Sequence, residues 1–298
     1  MNQVATTIDT NNFAAMAQAM GMNAESTSKA SKASTLARLR IHHTPIMGQE
    51  EIKGKMKNIE VIGGGAYKLE IPDGLTYYAE GVTIRPFLQR FMYKKFIKGN
   101  DSTPNRFLKT VMANDLNNDM KDNEGGFNCG KPAGFIQDWA ALPDTMKELI
   151  KSIKRVRSLF GVVELINPTD EKGNPVSVDA TPFIWEIDNR DAFKTMGEQF
   201  NKLTKMRRLP PQHNMALTTR EVPLPNGSSF FVPEAELDLG TTLEMDNHAQ
   251  EVFASFIAWI ENYNTYILNA WSDNMRKDED VDVDTVEAFV DINEEDFV

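Results

Sequence analysis

The chain reads as an α+β protein: a partly open β-barrel with helical insertions, then a long C-terminal helix and a disordered acidic tail. Three observations predict this. The middle of the chain holds many short alternating or apolar runs separated by turn residues such as Pro72, Asp73 and Gly74, or Pro225, Asn226 and Gly227, a pattern of short strands that close on themselves. Val252, Phe256, Trp259, Tyr263 and Ile267 recur at helical spacing. The last twenty-one residues, Asp278 to Val298, carry ten carboxylates and no basic residue. Such a block buries too little apolar surface to fold alone.

Taken in order, Asn11 to Gly21 predicts a short helix closed by Gly21, and the polar stretch Met22 to Ser34 a linker. Residues 1–54 are therefore expected to be a helix with a flexible connection. A core over 55–240 follows. Ala66 to Ile71 and Leu75 to Ile84 predict a hairpin, and further strands are expected at Arg106 to Met112, Ile153 to Ile166, Pro182 to Ile187, Met215 to Glu221 and Ser229 to Val232. Helices are expected over Asp144 to Lys154 and, capped by Asp188 or Asn189, over Asn189 to Lys205. The longest helix, Leu243 to Trp271, is expected to pack on the core (241–277) and hand the chain to the tail (278–298).

Charge is unevenly distributed. The whole chain is at −11, but without the tail 33 acidic residues face 32 basic ones. Lys29 to Arg157 holds 22 basic and 14 acidic residues, whereas Ser158 to Lys277 holds 10 and 17. A basic half in a protein of acidic average is the footprint of a polyanion site, and a flexible acidic arm competes for such a site by imitating phosphates. One Cys and four His argue against a disulfide framework and a closed zinc site, so no metal or cofactor is expected. No basic-then-apolar leader opens the chain, and the run Val252 to Ile260 is too short to span a bilayer; the expectation is a cytoplasmic protein without membrane association.

The sharpest candidate site is Thr83 to Lys109. Arg85, Arg90, Lys94, Lys95, Lys98, Arg106 and Lys109 face only Asp101, and Phe87, Phe91, Tyr93, Phe96 and Phe107 are interleaved with them. As a strand, the segment would set Arg85, Phe87, Gln89, Phe91, Tyr93 and Lys95 on one face, making a stacking platform beside phosphate ligands, as single-stranded nucleic acid requires. As a helix starting at Pro86, it would bury Phe87, Leu88, Phe91 and Phe96 and leave the cations in water. The acidic tail favours the first alternative, with Phe87, Phe91 and Tyr93 stacking bases. Lys147, Lys151, Lys154, Arg155 and Arg157 form a second basic group, of which Arg155 and Arg157 are added to the expected DNA-binding set. Lys202, Lys205, Arg207 and Arg208 form a third.

Other motifs carry less. Gly125 to Lys131 (GGFNCGK) matches a phosphate-binding loop until Pro132 replaces its hydroxyl residue, and no apolar strand precedes it. Asp115, Asp119, Asp122 and Glu124 read as magnesium ligands of a nuclease or, more simply, as turn formers. Cys129 lacks a basic partner. Trp185 reads as core. No catalytic residue is assigned and the protein is not expected to be an enzyme. The rivals to single-strand binding are a virion structural or assembly role and a metal-dependent nuclease.

Taken with the phrases VTIRPFLQRFMYKKF, NCGKPAGFIQDW and PFIWEIDNRDAFKTMG, the basic and aromatic platform, strand-rich middle, long helix and acidic tail resemble the replicative single-stranded DNA-binding proteins of tailed bacteriophages. The likeness covers about Lys55 to Val298. It implies an OB-fold core that coats exposed strands in replication, recombination and repair in the infected bacterial cell. It also implies a tail whose Glu294, Glu295, Asp296 and Phe297 recruit polymerase, helicase or primase, although Val298 follows the phenylalanine here. A homo-oligomer is compatible with this resemblance. One branch of the family holds zinc through several Cys and His residues, from which this chain departs.

Overall fold

Two strands of unusual length organise the molecule. In chain order the strands are β1 (Ala37–Ile41), β2 (Ile46–Ile52), β3 (Lys55–Ile62), β4 (Tyr67–Glu70), β5 (Thr76–Ala79), β6 (Gly81–Ile97), β7 (Arg106–Lys109), β8 (Ile153–Ile166), β9 (Thr181–Ile187), β10 (Met215–Pro223) and β11 (Ser229–Leu237). The helices are α1 (Asp144–Ser152), α2 (Arg190–Lys205) and α3 (Asn247–Val290). This computed structural model describes residues 36–290 except 53, 54, 73, 101, 102, 133–135, 137 and 226, and of 50, 52 and 276–290 the backbone alone. The expected helix Asn11–Gly21, the linker Met22–Ser34 and the tail residues Glu294, Glu295, Asp296 and Phe297 lie outside the described residues.

A mixed α+β fold results. One sheet runs β11-β10-β6-β8-β9-β1-β4-β5 with β7 also on β6, and β2 and β3 form a separate hairpin. All pairings are antiparallel except β1 with β9. The sheet curls until its two ends touch: the Tyr67 hydroxyl donates to Thr218 O (3.1 Å), Thr219 Oγ1 donates to Gly65 O (2.8 Å), and Phe231 N donates to His43 Nδ1 (3.2 Å). Among the described residues no strand ladder joins these ends, so the sheet stays unclosed. Gly65 is required here, because its φ is +90° and a Cβ would come within 2.5 Å of the Phe231 ring.

Alternation gives the sheet two buried faces. The inner one collects Leu39, Tyr67, Leu69, Ile84, Leu159, Phe183, Trp185 and Met215 and is plugged by Met196, Phe200 and Leu203 of α2. That helix starts where Asn189 accepts from Asp191 N and Ala192 N (2.9 and 3.1 Å). The outer face, with Phe87, Leu88, Met92, Val156, Phe160 and Ile184, is covered by Ala249, Val252, Phe256 and Ile260 of α3. Each large side chain so buried contributes about 1.5–3 kcal/mol. Farther along, Tyr263 donates to Thr110 O, the Asn264 amide pairs with both backbone groups of Met112, and Trp271 donates to Gly126 O, which fastens α3 to the loops after β7.

Two expectations need correction. Residues 1–54 are not helix and linker throughout, since β1 and β2 lie there and β1 sits in the middle of the sheet; its five residues are too few to register against their two arginines in sequence. The helix does not stop at Trp271 but continues to Val290, so the first part of the acidic stretch is helical. Val283, Val286, Phe289 and Val290 keep a spacing of three and four residues that a charge count conceals. Of the two alternatives for Thr83 to Lys109, the favoured strand is the one found, as β6 and β7, with Pro86 at a β-bulge, a place where a missing N–H costs no ladder bond. Among the described residues no helix is long and apolar enough to cross a membrane.

Candidate nucleic-acid interface

The bulge decides which predicted residues share a surface. Pro86 pairs with Gly161 and Leu88 with Phe160, leaving Phe87 as the extra residue. One inserted residue inverts the alternation. Phe87 therefore turns outward to Phe256 under α3, whereas Gln89, Phe91 and Tyr93, opposite Leu159, Arg157 and Arg155, take the inner side. The six-residue face expected from Arg85 to Lys95 does not exist.

Two of the three expected stacking rings are corrected outright. Phe87 and Tyr93 are each 4% exposed, the first against α3 and the second among Leu108, Met120, Cys129 and Ile153. Phe91 is half-buried, its ring 6.0 Å from Phe193. Arg85 is a structural tie, donating to Pro211 O (2.7 Å) and Glu244 O (2.6 Å). Arg90 is half-buried and bonds Gln89 O. Arg106 pairs with Glu124 at 2.5 Å. Lys95 is half-buried, while Lys98 and Arg155 are exposed. Arg157 is buried at 6% exposure, lying 4.9 Å from the Phe91 ring and 4.5 Å from that of Phe193 and donating to Gln89 Oε1. No acid pairs with it among the described residues, and burial pushes its pKa down to about 10.

Lys94 and Lys109 do reach a common site, together with residues the sequence did not single out. β1 and β9 pair only at Ala37–Phe183 and Arg38–Ile184 and then part. Between them opens a groove of about 530 Å3 lined by Arg38, Arg40, His43, Lys94, Lys109, Glu186, Asp188, Phe107 and Phe231. Alternation explains its lining. Arg38 is flanked by Ala37 and Leu39, and Glu186 by Trp185 and Ile187, all four in the inner cluster, so Arg38 and Glu186 face outward. Lys94 follows the outward Met92 by two residues, and Lys109 is its partner across the β6–β7 pair.

Lys94 Nζ lies 2.9 Å and Lys109 Nζ 3.5 Å from the two carboxylate oxygens of Glu186, and Lys94 sits 4.7 Å above the Phe107 ring. Burial, with the charges of Lys94 and Arg38, pushes the Lys109 pKa below the ordinary lysine value despite Glu186. Burial alone would raise that of Glu186, but Lys109, Lys94 and Arg38 outweigh it and hold the carboxyl below its ordinary value. Burial also lowers His43. The Phe107 ring is 47% exposed and packs at 5.2 Å against Phe96, which is 50% exposed. The signal for Arg38 and Arg40 was present as the alternation Ala-Arg-Leu-Arg-Ile. Nothing local marks Phe231, which arrives from a distant strand.

The remaining motifs are occupied. In GGFNCGK the amides of Asn128, Gly130 and Lys131 donate to Met120 O, Phe127 O and Asn128 O, so they do not form a phosphate cradle. Asp115 and Asp122 accept from nearby backbone amides, Asp119 accepts from Asn128 Nδ2 and Glu124 pairs with Arg106. Among the described residues no three His, Cys, Asp or Glu side chains are grouped to hold a metal. Cys129 is buried, and burial pushes its thiol up to about 12. A second depression, of about 510 Å3, is lined by Glu236 and Asp238 with no cation and does not suit a polyanion.

No known family model matches the chain, no curated protein matches it, and no solved structure does.

Proposed function

We propose that this is a non-catalytic, sequence-tolerant single-stranded DNA-binding protein whose strand runs along the outward groove between β1 and β9. One observation carries it: Arg38, Arg40, Lys94 and Lys109 line a single open groove together with the rings of Phe107 and Phe231. Cations beside accessible rings suit a phosphate backbone and unpaired bases, each stacked base contributing about 1–3 kcal/mol without regard to its identity. The groove opens inside the sheet where β1 leaves β9, and the unclosed sheet suits an OB-like binding surface.

The acidic C-terminal stretch is proposed as an arm that competes with DNA and recruits replication proteins such as polymerase, helicase or primase through Glu294, Glu295, Asp296 and Phe297. Work in DNA replication, recombination and repair in the cytoplasm of a phage-infected bacterium follows from that proposal. The test is a titration of oligo-dT at stepped salt concentrations. Binding that weakens with salt by about 0.7 log unit per phosphate contact and per decade, and tightens when Asp278 to Val298 is deleted, is expected. Absence of binding at low salt, by gel shift and by tryptophan fluorescence, would overturn the proposal.

A further inference from the structure

The groove contains its own competitor for phosphate. The Glu186 carboxylate spans Lys94 and Lys109, one oxygen to each, at 2.9 and 3.5 Å. Its position is fixed from both sides, by Trp185 and Ile187 in the inner core. A carboxylate in that place resembles a bridging phosphate in charge and in its two acceptor oxygens. The two lysines come from paired positions on β6 and β7, so without an anion between them they repel. All three side chains keep a quarter or less, or little more, of their surface open to the groove: 19% for Lys94, 26% for Lys109 and 29% for Glu186. An incoming phosphate that is to bridge both lysines therefore competes for the place Glu186 holds.

Resting on the single-strand role given above, we propose that Glu186 is an intramolecular phosphate mimic that holds Lys94 and Lys109 in the free protein and yields them to a DNA backbone phosphate. Affinity is then set by an exchange of anions rather than by a simple gain of contacts. Exchange also keeps the groove from trapping short polyanions, because a ligand must supply rings to stack as well as charge. Arg38, beside the same carboxylate in the groove, is the counter-charge that holds Glu186 once the lysines leave it.

The variant Glu186→Gln keeps the shape and removes the charge. It is expected to bind oligo-dT about fivefold or more tightly, the low end of typical coupling between competing ligands, with a salt slope steeper by about 0.7 for each phosphate contact freed. In a double-mutant cycle, Lys94→Gln should weaken binding more in the Glu186→Gln background than in the wild type. A third measurement uses the unmodified protein: zero-length carbodiimide coupling of Glu186 to Lys94 or Lys109, read by peptide mass spectrometry, should be lost on saturation with oligo-dT. Equal or weaker binding by a folded Glu186→Gln, or cross-linking that persists under saturating oligo-dT, overturns the exchange while leaving single-strand binding intact. If wild-type protein ignores oligo-dT, the single-strand role itself falls and the exchange with it.

Discussion

Two cationic groups sit on opposite faces of the same β6–β8 ribbon and have opposite fates. Lys94, joined by Lys109 from β7, faces outward, shares a carboxylate and lines a groove. Arg157 faces inward, is almost wholly buried between two phenylalanine rings, and has no carboxylate partner among the described residues. The rings divide the same way, with Phe107 half open beside Lys94 and Phe87 sealed under α3. Charge and aromaticity are identical currencies in sequence, but the face on which a residue lands decides whether it contributes to stability or to a surface that can bind.

Substitutions can sharpen or break this contrast. The largest expected effect is Phe87→Ala, which empties a site packed against Phe256 and should cost about 3–5 kcal/mol in chemical denaturation while leaving DNA affinity per folded molecule unchanged. Next, a triple change of Arg38, Lys94 and Lys109 to Gln should lower the salt slope of oligo-dT binding by about 2, at about 0.7 per lost contact. An unchanged slope would move the interface elsewhere. Phe107→Ala should cost about 1–3 kcal/mol of binding and shift stability by no more than about 0.5 kcal/mol, as for a surface substitution. Arg157→Met, which replaces a buried unpaired charge with an apolar chain of similar length, should be neutral or stabilising by about 1 kcal/mol or more; a loss of DNA affinity in this variant would erase the distinction between the faces. The smallest effect is on pH dependence. Because the Glu186 carboxyl is held below its ordinary value, it contributes stability above the unfolded carboxylate range that is lost as pH falls through the folded value. Thermal melts of Glu186→Gln should therefore depend less on pH on the acid side than those of the wild type.

Much of the framework was legible. β8 spans the expected Ile153 to Ile166, the Asn189 cap sits where a polar residue precedes an amphipathic run, and α3 buries Val252, Phe256 and Ile267 as their spacing requires. These features are local, so hydrophobic period and capping chemistry suffice to find them. The candidate site was less legible. Lys94 and Lys109 lay within the basic stretch, but Arg38, Arg40 and His43 lie on or just after β1 and Phe231 on β11, 188 residues beyond His43, and no window of sequence joins them. The bulge at Phe87 was invisible for a related reason: Pro86 marks a disturbance of the strand, but only pairing with β8 shows that an extra residue is accommodated there. Gly161 completes that geometry, since a Cβ at this position would come within 2.5 Å of Arg85 O.

By itself, the sequence determined that there would be short strands, a long amphipathic C-terminal helix, a cation-rich first half and a carboxylate-rich end, because each depends on composition or on a period of a few residues. Only the tertiary structure decided which cations meet which rings. That outcome depends on strand register, where one bulged residue exchanges the two faces of a sheet, and on where β1 and β9 separate to leave a groove between them.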